Sequence, residues 1–160
     1  MSYIILPKLI DHESAVETAE KMMTAEKFAN LWCEGDGGSF DDTMRLVYWI
    51  NQKAFTGIVL GNATSGSSVL FAACPRRLIG KHASIGVHTG VVYLEGYLDA
   101  AQFLEQAKRI KRCDVIQAQI YASASTMDAR WWYNRMGEAN GNTVYLFAPE
   151  LVEIGFAEYI

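Results

Sequence analysis

The sequence predicts an α/β fold with largely parallel strands, and three observations carry that expectation. Short apolar runs alternate with amphipathic helical patterns at least four times along the chain. The run Gly57-Ile58-Val59-Leu60 is β-branched and free of charge, as a strand buried on both faces requires. With 160 residues, 51% apolar and 20% charged, the chain can bury a real core as one domain covering residues 1–160.

The elements follow in order. Tyr3 to Leu6 reads as a strand stopped by Pro7. Asp11 caps a helix to about Ala25, with Ala15, Ala19, Met22 and Met23 at helical spacing. Phe28 to Cys33 is a second strand, ending in the turn Glu34-Gly35-Asp36-Gly37-Gly38. Ser39, Asp41 and Asp42 open the next helix, whose buried stripe is expected at Met44, Val47 and Ile50. Strand Gly57–Leu60 leads through small residues into an apolar helix, Val69 to Cys74, which Pro75 ends. Arg76 to Lys81 reads as a turn and short strand, and His82 to His88 as another strand with His88 at its C-terminal end.

Gly90 and Gly96 bound a short segment containing Val91, Val92 and Tyr93. Leu98 to about Ala122 is the longest helical pattern, long enough for part of it to project or pack on a neighbour. Ser125 is expected to cap Met127–Met136, where Trp131, Trp132 and Tyr133 read as packing residues. Gly137 to Asn142 is a turn, and Thr143 to Leu146 is a strand. Ala148-Pro149-Glu150 opens a last short helix that Gly155 closes.

Composition narrows the function. The net charge of −4 argues against nucleic acid as a partner. The one basic cluster, Lys108 to Arg112, sits in a helical pattern with Glu105 and Asp114 nearby, as on a solvated face or subunit contact. Cys33, Cys74 and Cys113 lack metal-ligand spacing, so no metal or other cofactor is expected and reduced cytoplasmic thiols fit best. No signal peptide and no apolar run of the length needed to span a membrane is evident.

One stretch carries chemistry, Gly61-Asn62-Ala63-Thr64-Ser65-Gly66. A serine at a strand-to-helix turn sits beside the free N–H groups of the first helical turn. Those groups can hold an oxyanion, and an exposed serine there can be a nucleophile. Ser and Gly are equally ordinary caps and turn residues. In open α/β sheets, sites form at the C-terminal ends of strands. Three such ends, at Gly37-Gly38, Ser65-Gly66 and His88, could supply oxyanion donors, nucleophile and base. His12 and His82 have no comparable setting.

This pattern resembles the proteolytic subunit of the Clp protease, a serine peptidase within the wider crotonase-like fold. The resemblance rests on Gly37-Gly38, then Asp42-Thr43-Met44, then Gly61-Asn62-Ala63-Thr64-Ser65, then Ile85-Gly86-Val87-His88. The spacing from Ser65 to His88 is close to the family's. Ala148-Pro149-Glu150 with Glu153 and Gly155 resembles its C-terminal Ala-Pro-Glu stretch. The resemblance implies a repeated ββα core with a projecting handle helix at about 97–122. It implies Ser65 as nucleophile, His88 as general base, and the N–H groups of Gly38 and Gly66 as the oxyanion hole. It also implies two stacked seven-membered rings, a polypeptide substrate, and an AAA+ unfoldase or related ring subunits as partners.

The chain departs from the family in three places. Where the family has its catalytic Asp, this chain has Asn140-Gly141-Asn142-Thr143, so Asn142 or Thr143 would orient His88, with Glu138 the nearest acid. The first core strand comes almost at once, so the family's N-terminal loops are expected to be absent. Thr89-Gly90 follows His88 in place of Gln-Pro. The leading expectation is an ATP-dependent Clp-type serine endopeptidase subunit. The alternatives are a weakly active or inactive ring subunit and, further off, a crotonase-like acyl-CoA enzyme.

Overall fold

The structure, a computed structural model, describes residues 3–138 and 140–160. Its opening is three successive strand–strand–helix units. The first is β1 (Tyr3–Ile5), β2 (Leu9–Ile10) and α1 (His12–Thr24). The second is β3 (Asn30–Trp32), β4 (Gly37–Gly38) and α2 (Phe40–Lys53). The third is β5 (Thr56–Val59), β6 (Asn62–Thr64) and α3 (Gly66–Ala73). Strands β7 (Arg76–Ile79) and β8 (Ser84–Val87) follow, then the long helix α4 (Ala100–Ser123). Helix α5 (Ala129–Gly137), β9 (Val144–Phe147), α6 (Ala148–Glu153) and β10 (Glu158–Tyr159) complete the chain.

The first strand of each unit joins one five-stranded sheet, in the order β1-β3-β5-β7-β10, with every pair parallel. The second strands form smaller parallel pairs, β2 with β4 and β6 with β8, and a Gly35–Ala63 bridge links the two pairs. β9 returns antiparallel along β8. The α/β class with largely parallel strands is therefore the observed class. Each second strand lifts the chain off the main sheet just before a helix begins, so the helix N-termini gather at one place.

Local signals explain most helix starts. Asp11 caps α1 through a reciprocal pair with Ser14. The Ser39 hydroxyl caps α2 by accepting from Asp42 N–H. Pro149 lies in the first turn of α6, and Gly155 follows its end with φ +68°. Neighbouring helices pack in sequence, α1 on α2, α2 on α3, α3 on α4 and α4 on α5. An aromatic cluster fills the base of α4: Tyr121 lies 4.9 Å from Trp132, and Trp132 lies 5.3 Å from Phe156.

The structure corrects several expectations. The buried positions of α2 are Asp42, Thr43, Leu46 and Ile50; Met44 and Val47 are only half-buried. α5 starts at Ala129 under an Asp128 cap rather than at Met127 under Ser125. Ser125 Oγ is instead the acceptor for Trp132 Nε1–H at 2.8 Å, which satisfies a buried indole. Trp132 is indeed a packing residue, with its side chain fully buried. The first turns of α4, residues 100–105, are exposed throughout, while Gln106, Ile110 and Cys113 further along are half-buried against the domain. Among the described residues, no helix is long and apolar enough to cross a membrane.

Candidate active site

The third unit builds the centre of the site. Glu34 reaches back from the end of β3, and its carboxylate accepts the N–H groups of Leu60 and Gly61 at 2.8 and 2.9 Å. That clamp fixes the bend from β5 into β6. Ser65 then joins β6 to α3, and its N–H donates to the Gly86 carbonyl of β8 at 2.8 Å.

Ser65 has φ +55° and ψ −125°, a conformation that glycine adopts freely and L side chains avoid. Its side chain makes no capping hydrogen bond to α3. A serine placed there as a cap would use the hydroxyl on its own helix. Here the hydroxyl makes no such bond, and the backbone is held in a strained region.

The Gly37-Gly38 turn packs directly on that elbow. A Cβ on Gly37, where φ is +82°, would lie 2.4 Å from Gly66 N and 2.7 Å from Ser65 Cβ. A Cβ on Gly38 would lie 2.1 Å from the Ile10 carbonyl oxygen. Only bare backbone lets the turn lie between β2 and the start of α3. The Gly66 N–H opens the helix and has no intrahelical acceptor.

Behind the elbow, Ser68 Oγ donates to the Ser65 carbonyl at 2.7 Å and meets the Tyr121 hydroxyl at 2.7 Å. Burial pushes the Tyr121 hydroxyl pKa up, with the Ser68 hydrogen bond acting the other way. Tyr121 thus stays a neutral hydrogen-bonding prop between α4 and the elbow.

His88 stands just past β8. Its Nδ1 lies 2.6 Å from the Thr89 carbonyl oxygen. A carbonyl can only accept, so Nδ1 carries the proton and Nε2 is left as the acceptor. That is the tautomer a general base needs when its free nitrogen faces the nucleophile.

Ser65, His88, Gly38 and Gly66 line one cleft of about 560 Å³. The other walls are the first turn of α2, the coil after His88, and the face of α4 carrying Gln106, Ile110, Cys113 and Gln117. Arg109 of α4 pairs with Asp41 of α2 across this cleft at 2.6 Å. The basic cluster thus places one arginine at the cleft and leaves the rest on the helix surface. The sequence-predicted nucleophile, base and oxyanion donors therefore meet in one cavity.

The third member is less simple. Asn142 and Thr143 precede β9, whose Val144 pairs with Val87, the last residue of β8, so they enter beside the strand that leads to His88. The hydrogen bond at His88 Nδ1 goes to Thr89, a neutral partner. Sequence reasoning missed Asp114, which is buried on α4 and accepts the Gly90 N–H at 2.6 Å. Burial pushes the Asp114 carboxyl above the usual carboxylate range, while the Gly90 N–H and the charge of His88 pull it down. The signal in the sequence was an acid next to the basic run Lys108 to Arg112; its burial is seen only in the structure.

His12 lies outside the cleft, where its Nδ1 is 3.4 Å from Asp42 Oδ1, and His82 is exposed. Among the described residues, no cluster of three or more His, Cys, Asp or Glu side chains could hold a metal ion. The three cysteines are free thiols. No protein-family model matches the chain, and no curated protein matches it by sequence.

Proposed function

We propose that this chain is a Clp-like serine endopeptidase subunit with the ClpP/crotonase-like ββα core. The observation that carries the reading is the strained, uncapped Ser65 in the cleft that also holds His88. In this reading Ser65 Oγ attacks the peptide carbonyl while His88 Nε2 takes its proton. The N–H groups of Gly38 and Gly66 hold the oxyanion. His88 then returns the proton to the leaving amine, and water repeats the sequence on the acyl-enzyme.

The repeated strand–strand–helix units and the exposed first turns of α4 support the handle assignment. Phe103 and Leu104 in those turns are 61% and 56% exposed, which suits a helix that packs on another subunit. Two stacked heptameric rings fed by an AAA+ unfoldase are the assembly this reading implies, in the cytoplasm. A weakly active or inactive ring subunit is the second reading, and the neutral partner of His88 Nδ1 favours it.

Light scattering with a fluorogenic-peptide assay tests both. The proposal expects an assembly of fourteen chains that hydrolyses the peptide. A ring without hydrolysis selects the second reading, and a monomer at micromolar concentration contradicts the ring in either.

A further inference from the structure

The coil after His88 is held from the side of α4. Gly90, two residues on from His88, donates its N–H to Asp114 Oδ1 at 2.6 Å. Asp114 is 3% exposed. The other buried acid among the described residues, Asp42, has Arg45 as an ion-pair partner at 3.0 Å. Among the described residues Asp114 has no ion pair of that kind; its hydrogen bond is to backbone, two residues along the chain from His88.

A carboxylate buried on a helix without a cation beside it costs stability, which makes a role in the site the more economical explanation. The Thr89 carbonyl fixes the tautomer of His88 but carries no charge to answer the imidazolium that forms when Ser65 gives up its proton.

We propose that Asp114 is the positioning residue of this site, holding the Thr89-Gly90 turn in place and supplying the negative charge that His88 needs as it becomes a cation. The proposal rests on the Ser65–His88 reading above. It moves the acid from the loop before β9 to the middle of α4.

The geometry gives Asp114 two separable tasks. Its oxygen anchors Gly90, and so holds the Thr89 carbonyl against His88 Nδ1. Its charge acts on the imidazole without touching it. Gly90 is two residues from His88, so the carboxylate that holds the Gly90 N–H lies close to the imidazole that Thr89 orients.

The other titratable groups around the cleft are few. α4 contributes Arg109 and Cys113, the residue before β4 contributes Asp36, the first turn of α2 contributes Asp41, and the coil contributes Tyr93. Asp41 is paired with Arg109. The cleft-lining residues of α3, Gly66 and Val69, do not titrate.

Two measurements test this. In the first, carbon NMR follows the Asp114 carboxyl through a pH titration in the wild type and in His88→Gln. Loss of the cation should move the Asp114 midpoint upward. An unmoved midpoint overturns the proposal, whether or not Ser65 reacts.

In the second, fluorophosphonate labelling of Ser65 is timed against pH in wild type, Asp114→Asn and Asp114→Ala. Asn keeps an oxygen for Gly90 but no charge, so labelling should slow about tenfold, the equivalent of one pH unit of lost interaction. Ala loses both tasks and should be slower still. Wild-type rates in Asp114→Asn across the pH range would reduce Asp114 to a loop anchor and overturn the proposal. A wild type that never labels, with the NMR midpoint still moving, contradicts the hydrolase reading and leaves the coupling standing.

Discussion

Replacing Ser65 by Gly, and separately by Ala, separates the strain at the elbow from the chemistry of its hydroxyl. The Ser65 hydroxyl makes no cap to α3, so removing it should cost the fold little. Ala retains the Cβ and with it the strain of φ +55°, ψ −125°. Gly has no Cβ and relieves it. A non-glycine residue in such a region costs about 1–3 kcal/mol. Glycine returns about 0.4–1 kcal/mol through its freer unfolded chain. The difference leaves Ser65→Gly more stable than Ser65→Ala by about 1 kcal/mol. For a chain of this length that is a rise of about 2–4 °C in Tm. Urea unfolding of both variants, with scanning calorimetry, reads the difference directly. Ser65→Gly equal to or less stable than Ser65→Ala would show that the elbow stores no strain. The argument from that strain to a nucleophile would then fail.

Two further perturbations address the supports of the site. Tyr121→Phe removes the hydroxyl that meets Ser68 and leaves Ser68 its bond to the Ser65 carbonyl. The cost should be about 1 kcal/mol, one buried neutral hydrogen bond; an unchanged urea midpoint would mean that the prop contributes nothing. Asp114→Asn should change how stability depends on pH. Burial raises the Asp114 carboxyl above its ordinary value, so the unfolded chain ionises first and the wild type loses stability as pH rises through the folded-state midpoint. Asn does not titrate, so the variant should gain on the wild type from acidic toward neutral pH. A stability difference that stays constant with pH contradicts that.

The parts of the fold carried by local signals were legible in the sequence. Asp11, Ser39 and Pro149 mark helix starts through their own chemistry, and the apolar run at Gly57–Val59 marks a central strand, which begins one residue earlier at Thr56 and leaves Leu60 outside, exposed. The short second strands were not legible. Gly37-Gly38 has the composition of a turn, and Asn62-Ala63-Thr64 lacks apolar alternation, yet both pair because neighbouring strands present partners. Ser125 looked like a cap, but a buried indole three-dimensionally near it outcompeted the helix end, and Asp128 took that task.

The candidate site divides the same way. Ser65, His88, Gly38 and Gly66 were readable because each sits at a strand end or turn, where α/β folds gather chemistry. Asp114 was hidden because its partner, Gly90, lies on a coil whose path no local rule fixes. Glu34 was hidden likewise, since its task is to hold two backbone N–H groups far along the chain.

The most direct test of the central claim is the mass of the purified protein after exposure to a fluorophosphonate, with peptide mapping of the adduct. The account predicts one adduct per chain, on Ser65, absent from Ser65→Ala and strongly reduced in His88→Ala. An adduct on another residue, or undiminished labelling of Ser65→Ala, would contradict it.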